Sequence, residues 1–286
     1  MGYVAVSSDA HAEAVGHRNI YIVWRSTSRI MEILEDITIP LVPFDDDNED
    51  VKFDDSTSDV AMVMQGWLEF YTGVPDVQTK ESAREQLLAK IKELVEQYKD
   101  ESLSIVCLGH SLGGALAILS AYDIVRSGLS KIGDKEEFPV CTMGFGSPRV
   151  GNQAFSDRCA KLPNLRALRV LNKDDLDFPN FPPASDGYVD IGTVLTVDSG
   201  KSPCLMGAGW GGRKHNLQVI LHTVAGWERA DGGFDTTRVK RSPALVNKDG
   251  DDLVAEFKIP ASWWVEKNKG MVLDKDGDWV VAPPGI

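Results

Sequence analysis

The chain has 286 residues, enough for one large domain or two small ones with a substantial hydrophobic core. Hydrophobic residues make up 43% and charged residues 26%, which is globular composition and excludes a disordered, collagenous or coiled-coil chain. Acidic residues outnumber basic ones by 43 to 30, and the resulting charge of −13 excludes nucleic acid as a partner and adsorption to an anionic membrane by bulk charge.

The first sixty residues predict two strands, a helix and an acidic loop. Period-two runs of β-branched residues predict strands at 3–9 and 19–25. Apolar residues at helical spacing predict an amphipathic helix from Ser28 to Pro40, where proline ends it. Residues 45–59 hold eight acids and one base, and we interpret them as a solvated surface loop, with a cation site as the less favoured alternative.

The middle of the chain alternates between helices and strands. Ser82 and Glu85 predict a capping box that begins a long helix. A fully buried strand is predicted at 103–108, followed by a helix from Leu112 to about Val125, strands near 140–145 and 165–171, and a short helix near 153–161. This alternation predicts an α/β fold with a mostly parallel sheet and helices on both faces.

Polar turns and short apolar segments become common after residue 230. Within this part of the chain, DKDG (274–277) predicts a hairpin. We therefore predict a main domain over 1–230 and a C-terminal extension over 231–286 that packs on it. The four cysteines form no CxxC pair, which indicates free thiols in a reducing compartment. With no signal peptide or membrane-spanning stretch in view, we expect a cytoplasmic protein.

The strongest chemical signal is Gly-His-Ser-Leu-Gly at 109–113, because a predicted strand precedes it and a predicted helix follows it. Nucleophilic catalysis needs a serine on a sharp strand-to-helix turn, and flanking glycines remove side chains that would collide there. We predict that Ser111 is a nucleophile. The amide of Leu112, the next residue, is then one donor of an oxyanion hole.

A serine hydroxyl needs a base, and the chain has five histidines. His110 adjoins the turn and should point away from the site. In this fold class the base follows the nucleophile along the chain, which excludes His11 and His17 because both precede Ser111. The remaining candidates are His215, in a loop before the last predicted helix, and His222, two turns into that helix. Position favours His215.

The acid of a triad should follow a strand beyond the nucleophile. Asp174, Asp175 and Asp177 all follow the strand near 165–171, and position alone does not choose among them. A second oxyanion donor should follow an earlier strand, and Thr27 offers an amide and a hydroxyl there. The predicted helix from Ser28 to Pro40 would then act as a lid over the serine at a lipid surface, or be an ordinary surface helix.

Taken together, these segments resemble the class 3 (fungal-type) lipase family, and most closely the plant class II phospholipase A1 enzymes. They cover nearly the whole chain in order: YIVWRST, EDITIPLVPF, VMQGWLEFYT, GHSLGGALAILSAYDI, GFGSPRVGNQAF, RVLNKDDLDFP, HNLQVILHTVAGW and ALVNKDGDD. The resemblance implies an α/β-hydrolase fold with a helical lid. It also implies hydrolysis of the sn-1 fatty-acyl ester of phospholipids, without a cofactor and without a catalytic metal.

The family motif N-x-x-D, followed by an apolar pair and proline, selects Asp175 as the acid. The family histidine opens the HNL segment, which supports His215, and the family oxyanion threonine falls on Thr27. The implied partner is a phospholipid or another acyl lipid at a membrane or micelle surface. The sequence does not define the oligomeric state.

Two departures leave alternatives open. The family has Arg-Gly-Thr where this chain has Arg-Ser-Thr, and if that glycine requires a positive φ, Ser26 would strain the oxyanion loop. Family members also carry a helical region before the first strand, which this chain is expected to lack. The alternatives are a lipase acting on galactolipid or neutral acylglycerol, and a non-catalytic lipid-binding relative.

Overall fold

The computed structural model describes residues 1–26, 38–44, 60–74, 80–133, 136–173, 175, 178–206, 214–228, 232–248, 252–257, 271–273, 275 and 279–281. The elements in chain order are β1 (Gly2–Val6), α1 (Asp9–Val15), β2 (Arg18–Trp24), β3 (Leu41–Pro43), β4 (Met62–Met64), α2 (Gln65–Thr72), α3 (Ala83–Gln97), β5 (Leu103–His110), α4 (Leu112–Arg126), β6 (Val140–Phe145), α5 (Gln153–Lys161), β7 (Leu165–Asn172), β8 (Thr193–Val197), α6 (Leu217–Gly226), β9 (Met271–Leu273) and β10 (Trp279–Val281).

Six strands form the central sheet in the order β1-β2-β5-β6-β7-β8. Strand β1 is antiparallel to β2, whereas β2, β5, β6 and β7 pair in parallel. Parallel neighbours require crossovers, and here helices supply them. The prediction of an α/β fold with a mostly parallel sheet is confirmed, while the placement of helices on both faces stays a prediction.

The chain divides into two compact units. The first consists of Met1–Val170 and Phe178–Leu195, and the second of Leu171–Asp177 and Thr196–Ile286. The division predicted from the sequence, at residues 230 and 231, stays a prediction.

Helix α4 is the central helix of the first unit and packs on β2, β5 and β6. It is buried on every side from Leu112 to Val125, because α2 also packs against it. Its one buried acid, Asp123, is held by Arg84 of α3 at 2.7 Å and by the hydroxyl of Tyr71 at 3.1 Å. A buried carboxylate needs such partners, and this one ties three helices together.

Helix α3 begins with the predicted capping box. The hydroxyl of Ser82 accepts from the amide of Glu85, and the Glu85 carboxylate accepts from the amide of Ser82 at 2.7 Å. These bonds lower the pKa of Glu85. Leu87, Ile91 and Leu94 are buried, as the helical spacing predicts.

One burial prediction is wrong. Strand β5 was expected to be fully buried, but its side chains alternate between buried and half-buried positions from Leu103 to His110. It also runs two residues beyond the predicted end. The apolar residues at its alternate positions, such as Val106 and Leu108, are therefore only partly covered.

The second unit has its own apolar cluster of Cys204, Leu205, Val219, Val246 and Leu253. The predicted hairpin is confirmed, since β9 and β10 pair antiparallel with Trp279 opposite Leu273. The predicted acidic loop at 45–59 lies outside the described residues, and so does the predicted lid helix from Ser28 to Pro40 except for residues 38–40, which are not helical. The helices in the described ranges are all too short or too polar to cross a bilayer.

Candidate active site

Ser111 occupies the turn between β5 and α4 in a backbone conformation that non-glycine residues rarely adopt. Its φ is 58° and its ψ is −129°, and within the described part of the chain it is the one non-glycine residue with positive φ. Such strain persists only where the surrounding structure holds it, and it is typical of functional sites. The amide of Ser111 donates to the carbonyl of Phe145 at 2.9 Å, which anchors the turn to β6.

Two glycines make this turn possible. A Cβ on Gly109 would lie 2.0 Å from the carbonyl oxygen of Gly113, and a Cβ on Gly113 would lie 2.5 Å from the carbonyl oxygen of Trp24. Both distances are far inside van der Waals contact, so neither position admits a side chain without moving backbone. The predicted strand-turn-helix geometry around Ser111 is therefore present.

The side chain of Ser111 is buried, and its Oγ has no hydrogen-bond partner among the described residues of its own unit. A buried hydroxyl without a partner costs free energy, and native proteins tolerate it mainly where function needs the group. Leu112 is the first residue of α4. Its amide therefore belongs to a helix N-terminus, which favours developing negative charge.

The end of β2 lies against the first turn of α4. The indole Nε1 of Trp24 donates to the hydroxyl of Ser120 at 3.0 Å, and Gly113 approaches the carbonyls of Trp24 and Arg25. Thr27, the predicted second oxyanion donor, lies outside the described residues. Ser26 is described and does not have a positive φ, so the strain considered for it is absent.

In the second unit, the acid and the base of the predicted triad meet. The Nδ1 of His215 lies 2.8 Å from Oδ2 of Asp175, and both side chains are largely buried. This is the contact that a triad requires between its acid and its base. Of the three competing acids, Asp174 and Asp177 lie outside the described residues.

His222 takes part in a different serine–histidine pair. Its Nε2 lies 2.8 Å from the hydroxyl of Ser202, and its ring stacks on Phe234 with centroids 5.2 Å apart. Its Nδ1 is buried and has no hydrogen-bond partner in the described ranges, so no carboxylate orients the ring. Burial lowers the pKa of His222 to about 4. Ser202 has φ −77° and lacks the strained turn of a nucleophile, so this pair has the character of core packing.

Two buried thiols, Cys107 and Cys159, do not compete with Ser111 as nucleophiles. Burial raises the pKa of the Cys107 and Cys159 thiols to about 12, so both stay protonated at neutral pH. Among the described residues, no group of three or more histidine, cysteine or acidic side chains is arranged to hold a metal ion. A cavity of about 960 Å³ opens beside β1, lined by residues such as Val4, Phe70 and Leu87, and Ser111 is not part of its lining.

Sequence reasoning missed the residues that support the site. Asn172 and Asn216 make partly buried hydrogen bonds that hold the chain on either side of the histidine. The only signal for Asn172 was its place in the N-x-x-D motif, and Asn216 was recognisable only as a helix N-cap residue.

A serine on a strained strand-to-helix turn, at the end of a mostly parallel sheet, defines an α/β-hydrolase. Comparison with known proteins then identifies the family, because the family model described as "Lipase (class 3)" matches residues 21–185. The chain belongs to the class 3 lipase family, as its motifs predicted. The matched range includes Ser111 and Asp175 and ends before His215.

Curated relatives that are similar in sequence over nearly the whole of this chain come from plants. The chain is 47% identical to Phospholipase A1-II 5 of Oryza sativa subsp. indica, over 99% of this chain and 60% of the relative. It is 46% identical to Phospholipase A1-IIdelta of Arabidopsis thaliana, over 99% of this chain and 71% of the relative. A solved triacylglycerol lipase, described as having a serine protease triad at its catalytic centre, matches with 25% identity and a TM-score of 0.50. That match covers 68% of this chain and 62% of the lipase, and the chain spans about 60% of the rice protein's length.

Proposed function

We propose that this chain is a serine acylhydrolase that cleaves the sn-1 fatty-acyl ester of phospholipids. The observation that carries the proposal is the positive φ of Ser111 on a turn whose glycines admit no side chain. The hydrogen bond between His215 and Asp175 supports it independently. The printed names of the rice and Arabidopsis relatives support a phospholipase A1 activity over other esterase activities.

In the proposed mechanism, Ser111 Oγ attacks the ester carbonyl while His215 takes its proton. Asp175 keeps the imidazole in the orientation and tautomer that this transfer needs. The amides of Leu112 and Thr27 donate to the oxyanion that forms on the carbonyl. The tetrahedral intermediate collapses to an acyl-serine, and His215 gives the proton to the departing lysophospholipid. Water then attacks the acyl-serine by the same route and releases the fatty acid.

Measuring fatty acid released from phosphatidylcholine vesicles tests the assignment. Ser111→Ala and His215→Ala should each lower kcat by at least about 10⁴-fold, which is the usual cost of losing a triad member. The matched controls are Ser202→Ala and His222→Ala, which remove the other serine–histidine pair and should retain substantial activity in the folded protein. Equal release by wild type and Ser111→Ala would remove the proposal.

Vesicles whose acyl chains are labelled separately test the position of cleavage. The phospholipase A1 proposal predicts that label from the sn-1 chain appears first. Parallel assays on galactolipid and triacylglycerol test the other substrate classes, of which the second is named for the solved lipase. A preference for either over phosphatidylcholine would replace the phospholipid part of the proposal and keep the serine mechanism.

A fluorophosphonate probe separates an enzyme from a non-catalytic lipid-binding relative. The probe reacts with an activated serine in a working oxyanion hole, so Ser111 should be labelled and Ser111→Ala should not. We also propose a cytoplasmic location, which is supported by the four free cysteines. Fractionation of cells that express the tagged protein tests it, and recovery in the secreted fraction would contradict it.

A further inference from the structure

Asn172 is a buried asparagine that uses its whole side-chain amide. It is the last residue of β7 and is 2% exposed. Its Nδ2 donates to the hydroxyl of Ser199 at 3.0 Å and to the backbone carbonyl of Lys214 at 3.0 Å, and its Oδ1 accepts from the amide of Ser199 at 3.0 Å. An amide group has two N–H donors and a carbonyl acceptor, so both donors and the oxygen are bonded here.

The partners of Asn172 lie next to the acid and the base. Its own carbonyl accepts from the amide of Asp175 at 3.1 Å, which closes the turn that carries the acid. The side chain of Asn172 holds the carbonyl of Lys214, and Lys214 directly precedes His215. One side chain therefore joins the strand end that presents Asp175 to the loop that presents His215.

The chain on the other side of His215 is held as well. Asn216 caps α6, where its Oδ1 accepts from the amide of Gln218 at 2.8 Å. Its Nδ2 donates to the buried carboxylate of Asp252 at 3.0 Å. His215 is thus placed between a fixed helix start and a backbone carbonyl held by Asn172.

We propose that Asn172 is a positioning residue that keeps His215 in register with Asp175, an inference that rests on the proposed function of that pair. The 2.8 Å bond between the two side chains depends on where each backbone sits. Without the Nδ2 donor, the Lys214 carbonyl loses its tie to β7. The imidazole can then leave the orientation that proton transfer needs. A displacement of about 1 Å at such a group costs about 10²-fold in rate.

The matched control is at the opposite end of the same strand. Asn164 precedes β7, and its Nδ2 also donates to a serine hydroxyl, Ser130 at 2.9 Å, and to a backbone carbonyl, Phe138 at 3.1 Å. An Asn164→Ala variant loses the same two kinds of donor bond as Asn172→Ala, and it has no acceptor bond to lose because Oδ1 of Asn164 has no hydrogen-bond partner in the described ranges. A purely structural role predicts the same behaviour from both variants.

The first readout is the deshielded NMR proton of the His215–Asp175 hydrogen bond, assigned by its loss in His215→Ala. We expect it in wild type and Asn164→Ala and expect it to be lost in Asn172→Ala. The second readout is hydrolysis of p-nitrophenyl butyrate, for which Asn172→Ala should lower kcat by up to about 100-fold with little change in KM. Asn164→Ala should keep kcat within about twofold of wild type.

A second variant protects the test against misfolding. Asn172→Asp keeps the shape and the acceptor for Ser199, and its ionised carboxylate has no donor for the Lys214 carbonyl, so at a pH where it is ionised it should give the same two results. Retention of the deshielded proton in the Asn172 variants would overturn the proposal, as would unfolding of both. If the wild-type protein hydrolyses no ester, the proposed function is wrong. The presence or loss of the deshielded proton then still tests whether Asn172 positions His215.

Discussion

Replacing Gly113 by alanine tests whether the end of β2 and the first turn of α4 together form the oxyanion hole. The added Cβ would lie 2.5 Å from the carbonyl oxygen of Trp24 and 3.1 Å from that of Arg25. Ordinary contacts of a Cβ are 3.4–4 Å, and both obstacles are backbone. The first turn of α4 and the end of β2 must therefore separate by roughly 1 Å. This separation moves the Leu112 amide away from the strand that leads to Thr27.

The expected effects on stability and on activity differ in size. Overpacking costs about 1–3 kcal/mol, but alanine favours a helix over glycine by about 1 kcal/mol, so the net loss of unfolding free energy is about 0–2 kcal/mol. A 1 Å error in an oxyanion hole should cost about 10²-fold in kcat, close to the loss of one donor. A 10²-fold loss of kcat corresponds to about 2.7 kcal/mol, so the activation free energy should change more than the unfolding free energy does.

The assay compares kcat on p-nitrophenyl butyrate with urea unfolding for Gly113→Ala and Ala115→Gly. The second variant loses about 1 kcal/mol of helix stability without adding an atom near β2. It should therefore retain most of its kcat. A kcat for Gly113→Ala within twofold of wild type, or an equal drop in both variants, would refute the reasoning.

Three further predictions concern stability and are measured by urea unfolding. Ser82→Ala should lower the unfolding free energy by about 1 kcal/mol because it removes the N-cap of α3, and an unchanged value would show that the cap is not needed. Asp123→Ala should lower it by about 3–5 kcal/mol because Arg84 loses its buried partner, and a loss below 1 kcal/mol would contradict that role. The pKa of His222 is lowered from 6.5 to about 4, so the unfolded chain binds its proton more tightly than the folded chain does. The unfolding free energy should therefore have its full value above about pH 6.5 and fall by at most about 3 kcal/mol as the pH drops toward 4, and His222→Gln should remove that part of the pH dependence. An equal pH dependence in wild type and His222→Gln would contradict this.

The elements with strong local signals could be predicted from the sequence. The capping box at Ser82, the strand-turn-helix around Ser111 and the hairpin near residue 275 depend on neighbours within a few residues, so their patterns are readable along the chain. The burial of β5 was predicted wrongly because burial depends on residues that are distant along the chain. An apolar run does not show how much of each face the rest of the protein covers.

The choice between similar residues needed more than spacing. Position favoured His215 over His222, and the family motif selected Asp175 from three neighbouring acids. The tertiary structure adds the physical difference, since His215 contacts a carboxylate whereas His222 contacts Ser202 and Phe234.

What the sequence determined by itself is the alternation of strands and helices in the middle of the chain, the serine turn and the family, because these depend on residue identity and on separation along the chain. The tertiary structure alone decided which groups meet across long separations. Asn172 holds the carbonyl of a residue 42 positions away, and Gly113 faces the carbonyl of Trp24 in another strand. Such contacts follow from chain packing in three dimensions, and neither residue type nor local periodicity carries that information.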